Sequence, residues 1–145
     1  MSSRCLLVSN NVSYKGRVDE IDFVEGSSFD VLIGVRDYVH KGAEILTHPL
    51  CGNLRPYQQP YRSVVLRIFS DPHPVDEYSL SLIENALGIY RSCFERLARA
   101  DSLPDFIASD YAFVESELMR SSLESLGLLR SGVTMIPKGG EPTND

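Results

Sequence analysis

The chain has 145 residues, 43% of them hydrophobic and 23% charged, with a net charge of -6 from 14 basic and 20 acidic side chains. That length suits one domain with a sizeable core. The acidic balance argues against non-specific attachment to nucleic acid or anionic membranes. No apolar run approaches the ~18 residues of a membrane span, and the apolar core at 5–8 is too brief for a signal peptide, so a cytoplasmic protein is expected.

Residues 4–9, R-C-L-L-V-S, read as an interior strand, because the apolar run is short and unbroken. Asn10-Asn11 ends it in a turn, since asparagine bonds its own backbone and tolerates left-handed geometry. A polar connector leads to a second strand at 21–25. Ser27 then caps a helix over 28–40, with Asp30 completing an approximate capping box. Phe29, Leu32, Ile33, Arg36 and Val39 fall at helical spacing, and Gly42 sits where a C-terminal cap belongs. A third strand is predicted at 43–47. Strand, helix and strand together suggest a right-handed parallel unit.

The stretch 47–61, T-H-P-L-C-G-N-L-R-P-Y-Q-Q-P-Y, holds three of the eight prolines together with His48, Cys51, Gly52, Asn53 and Arg55. A fourth strand follows at 61–69. Its centre, V-V-L, is apolar on both faces, so it belongs inside the sheet. A long helix is predicted over 75–100, with Leu80, Ile83, Leu87, Tyr90, Phe94 and Leu97 on one face. Gly88 inside it suggests close packing. A second long helix is predicted over 105–126. Ile107, Tyr111, Val114 and Leu118 line one face; Met119, Leu123 and Leu126 drift to another. The short turn between the two helices suggests an antiparallel pair. The two stripes also suggest a homodimer through an exposed face of the second.

Ligands of open parallel sheets bind beyond the C-terminal ends of the strands. If the first three strands are parallel, Asn10-Asn11, Ser27-Ser28 and the His48 loop share one edge. The helix entry at Ser27 suits either an anion or simple capping. His48, held extended by Pro49, can act as proton donor, acceptor or ligand, or can bond a loop carbonyl. Arg55 can fork onto a carboxylate or phosphate, or remain solvated. Cys51 becomes a nucleophile only if His48 meets it; otherwise it is a small buried residue, as Cys5 and Cys93 are expected to be. Three widely spaced cysteines form neither a disulfide framework nor a zinc site. No G-x-S-x-G, H-E-x-x-H, G-x-G-x-x-G or P-loop pattern is present.

V-S-N-N at 8–11, E-G-S-S-F-D-V-L-I-G-V-R-D-Y-V-H-K-G at 25–42 and L-T-H-P-L-C-G-N-L-R-P-Y-Q-Q-P-Y-R-S-V at 46–64 together resemble the GrdX family. The likeness extends over about residues 8–86. These are small proteins found with the glycine, sarcosine and betaine reductase system of amino-acid-fermenting anaerobes. The resemblance implies an accessory role near that reductase and supplies no catalytic residues. The family pattern has alanine where Cys51 stands, which argues against a shared cysteine nucleophile.

The expected fold is α/β: a small, mostly parallel sheet of about four strands flanked by helices in a Rossmann-like three-layer arrangement, ending in two long helices. Residues 1–129 are expected to form one domain and 130–145 a flexible tail. The edge bearing Asn10, Asn11, Ser27, Ser28, His48, Gly52, Asn53 and Arg55 is expected to bind a small anionic ligand or a partner, with reductase components as the implied partners. Neither cofactor nor metal is expected. One functional reading is a non-catalytic accessory or interaction protein. The other is a small enzyme with His48 as general acid or base and Arg55 holding an anionic substrate. Convergence of His48 and Arg55 in a well-formed pocket favours a ligand-binder or enzyme; a flat edge with His48 bonded to backbone favours the interaction protein.

Overall fold

The structure is a computed structural model that describes residues 2–50 and 58–129. In chain order its elements are β1 (Ser3–Ser9), β2 (Ile21–Phe23), α1 (Ser28–His40), β3 (Glu44–Ile45), β4 (Ser63–Phe69), α2 (Glu77–Ser92) and α3 (Asp105–Ser125). Short 3-10 turns lie at Val12–Tyr14, Phe94–Arg96 and Ala100–Ser102.

The two strands whose sequences are apolar on both faces take the centre of the sheet. Its order is β2-β1-β4-β3. β1 and β4 pair antiparallel along their whole length, from Ser3 opposite Phe69 to Ser9 opposite Ser63. β2 runs parallel to β1, and β3 runs antiparallel to β4. The expected mostly parallel, Rossmann-like sheet is therefore corrected to a mixed sheet in which antiparallel pairing predominates. A parallel return from β3 to β4 needs a long crossover, usually helical. The proline-bearing segment between them has no helical period. The strand-helix-strand unit is corrected as well: β2 and β3 lie on opposite edges. Because β1 and β3 both oppose β4, the first three strands still point the same way, and their C-terminal ends share one edge.

Alternation along the central strands divides the core. Leu6, Val8, Val64 and Leu66 pack with Val31, Leu32, Val35 and Val39 of α1 and with Ile83, Leu87 and Tyr90 of α2. Leu7 and Val65 pack with Tyr14, Val18, Leu128 and the Met119 and Leu123 side chains of α3. Each fully buried leucine or valine stabilises the fold by about 1.5–3 kcal/mol.

α1 begins and ends as its sequence dictates. Ser27 Oγ accepts from the Asp30 amide at 3.2 Å, and Asp30 Oδ2 accepts from the Ser27 amide at 2.8 Å. Gly42 then takes a φ of +103°, where a Cβ would collide with the His73 carbonyl oxygen.

The expected helix over 75–100 stops at Ser92. There Ser92 Oγ donates to the Ile89 carbonyl at 2.6 Å, a local bond that competes with helical continuation. Gly88 is exposed and a Cβ there would meet nothing within 4 Å, so close packing does not explain it. α2 and α3 join different cores, so they are not the expected antiparallel pair. α3 buries Ala112, Glu115, Ser116, Met119 and Leu123, whereas Val114 and Leu118 of the expected apolar face are exposed. No described helix is long and apolar enough to cross a membrane.

Candidate cleft at the C-terminal edge of the sheet

Past the end of β1, consecutive side chains continue the alternation of the strand. Asn10 is buried, and its Nδ2 donates to the carbonyls of Gly26 (3.0 Å) and Pro60 (2.9 Å). Its Oδ1 accepts from the Arg62 amide at 2.9 Å. One side chain thus ties the end of β1 to the entry of α1 and to the approach of β4.

Above this knot lies an open cleft of about 440 Å³. One wall is the turn bearing Val12 and Lys15, and another is the β2–α1 segment from Phe23 to Ser27. Tyr61 and the Arg99–Asp101 segment complete the lining. The Lys15 ammonium sits 4.2 Å from the centroid of the Phe23 ring, within cation–π range. Two cationic residues, Lys15 and Arg99, and two acidic ones, Glu25 and Asp101, are in the lining. Burial pushes the Tyr61 phenol above its usual range, so it is neutral and can donate.

Behind the cleft, on the α3 side of the sheet, is a buried polar cluster. Glu115 Oε1 accepts from Asn11 Nδ2 (3.1 Å), Tyr14 Oη (3.0 Å) and Ser63 Oγ (2.8 Å). Ser9 and Ser63 share a further hydroxyl bond of 2.7 Å. Burial raises the Glu115 carboxyl above its ordinary value, opposed by the bonds from Asn11, Ser63 and Tyr14 and by the Arg62 charge. Burial and the neighbouring Glu115 also push the Tyr14 phenol well up.

Of the residues expected to form the site, Asn10 and Ser27 line the cleft. Asn11 points away from it, into the Glu115 cluster. Ser28 is fully buried and its hydroxyl has no hydrogen-bond partner among the described residues. The Ser27 hydroxyl and amide are engaged in the capping box, the non-binding reading of that serine. His48 lies outside the cleft, exposed, with Nδ1 accepting from the Leu50 amide at 3.0 Å. Gly52, Asn53, Arg55 and Cys51 fall outside the described residues. Cys5 is half-buried and Cys93 buried. No described group of histidine, cysteine and acidic residues could hold a metal ion.

Lys15, Tyr61, Arg99 and Glu115 were not singled out from the sequence. The first three carry no local pattern. Glu115 left a faint one, as a carboxylate inside the stripe Ala112, Glu115, Met119 and Leu123.

The family model described as GrdX-like protein matches residues 6–124. The match runs further than the motifs quoted above, and takes in α3 almost to its end. No curated protein and no solved structure matches the chain.

Proposed function

The chain belongs to the GrdX-like protein family, and from that premise we propose a non-catalytic, cytoplasmic accessory protein of the glycine reductase system. Its sheet-edge cleft binds a small anionic ligand or a short segment of a reductase component. The observation that carries this reading is the lining of the cleft. It has the volume of a small-molecule site, and Lys15 and Arg99 supply cationic contacts. Among the described residues, neither histidine nor cysteine lines it. His48 is bonded to backbone, the arrangement that favours an interaction protein over an enzyme using His48. The acidic residues in the lining, Glu25 and Asp101, disfavour a polyanion. They suit a ligand with one anionic group and a cationic or hydrogen-bond-donating group.

The test is thermal stability against glycine, betaine, acetyl phosphate, phosphate and nucleotides, on wild type, Lys15→Ala, Arg99→Ala and His48→Ala. A ligand at ~100 times its dissociation constant adds about 2.7 kcal/mol. The expected shift disappears in Lys15→Ala or Arg99→Ala and survives in His48→Ala. A shift lost only in His48→Ala would move the site to the 47–61 segment. No shift, together with no capture of reductase components, would end the proposal.

A further inference from the structure

We propose that Glu115 is the positioning residue of this cleft. From α3, which contributes nothing to the lining, it fixes the turn Val12–Tyr14 and so the placement of Lys15. The inference rests on reading the cleft as a binding site.

A three-residue 3-10 turn has few internal bonds and does not hold its own position. Its first residue, Val12, is 55% exposed and Lys15 beyond it is exposed; its apolar anchor is the Tyr14 ring, packed with Leu7, Val18 and Leu123. Its fixed points are Asn11, the residue that caps it, and Tyr14, its last residue. Both are completely buried and both bond the same carboxylate oxygen. Asn11 Nδ2 also donates to the Ala112 carbonyl at 2.9 Å, one turn before Glu115. Ser63 holds that oxygen against the start of β4. The turn is thereby bolted to α3 on one side of the sheet.

Lys15 immediately follows Tyr14, and its ammonium reaches the Phe23 ring on the opposite wall of the cleft. A displacement of the bolt therefore appears directly as a displacement of the cation. The titratable and charged groups that face Glu115 are Tyr14 on the turn and Arg62 before β4. Binding linkage is reciprocal, so a ligand that engages Lys15 also tightens the Asn11–Tyr14–Glu115 cluster.

The experiment needs no ligand. In wild type, the Phe23 ring should shift the Lys15 side-chain NMR signals upfield, because the ammonium lies 4.2 Å from its centroid. Glu115→Ala should abolish most of that shift and speed amide exchange across residues 12–15 by about tenfold, with the amides of Leu6 and Leu66 unchanged. Glu115→Gln keeps a carbonyl acceptor for Asn11 and Tyr14 and should retain the shift. Tyr14→Phe deletes one of the two bonds with less disturbance and should show a partial loss, which covers failure of the alanine variant to fold. Unchanged Lys15 signals in a folded Glu115→Ala or Tyr14→Phe protein would overturn the proposal. So would faster exchange spread evenly over β1 and β4, or a Gln variant no better than Ala. A blank ligand panel would remove the binding reading and leave these signals to be judged independently.

Discussion

Asn10 and Asn11 are neighbours in the chain, yet their side chains serve opposite faces of the sheet. Asn10 Nδ2 reaches the Gly26 and Pro60 carbonyls, and Asn11 Nδ2 reaches Ala112 and Glu115. The period-2 alternation of β1 therefore continues past its last ladder pair. The pair is a junction between two polar networks: one under the cleft, one behind it.

Asn10→Ala orphans three backbone groups at once: the buried Pro60 carbonyl and Arg62 amide and the part-buried Gly26 carbonyl. Leaving such groups unpaired costs about 2–4 kcal/mol in sum. Urea denaturation should show that loss. A change below ~1 kcal/mol would mean that water or relaxation satisfies the freed groups.

Glu115 gives stability a pH dependence of unusual sign. Burial raises its folded-state value above the ordinary 4.5, so the folded chain holds the proton more tightly than the unfolded one. Its contribution is complete below the ordinary value and is lost as pH rises toward the folded one. Half-buried Asp76 works in the other direction, because bonds from Ser79 lower it. Wild type minus Glu115→Gln isolates the Glu115 term: their difference in unfolding free energy should fall from pH 4 to pH 7. A flat or rising difference would contradict the buried-acid picture.

Ser28 is a serine whose removal should help. Its hydroxyl is fully buried and makes no hydrogen bond among the described residues. Ser28→Ala should stabilise the protein by up to about 1 kcal/mol and leave ligand shifts in the cleft unaltered. A destabilised variant, or one with altered binding, would show that the hydroxyl has a partner in solution.

Two glycines should respond in opposite ways. Gly88→Ala, on the solvent side of α2, should add about 0.5–1 kcal/mol from helix propensity. Gly42→Ala places a side chain at a φ of +103° against the His73 carbonyl and should cost ~2 kcal/mol or more. Equal melting temperatures for the two variants would be inconsistent with both placements.

Signals that act over a few residues were legible. The bounds of α1 and its capping box at Ser27 and Asp30 follow from local backbone demands, as does the apolar run of β1. The orientation of β4 was not legible, since it is decided by pairing with β1 across most of the chain. The α3 face was misread because two stripes compete. The one with fewer large apolar residues wins, since it brings Glu115 to the polar ends of β1 and β4. Asn10 and Ser27 stood out as turn and capping residues, and they sit at the end of β1 and at the cap of α1. Lys15 and Arg99 are ordinary surface cations until the fold brings them to one cleft.

The central pairing also sets a timetable. Ser9 and Ser63, the nearest partners across β1 and β4, are 54 residues apart. On the ribosome β1 emerges first, with Leu6, Leu7 and Val8 and no central partner to meet them. At about 5–20 residues per second, that wait lasts roughly 3–10 s. During it the strand is an open apolar edge, the form most exposed to misassembly and to chaperone capture.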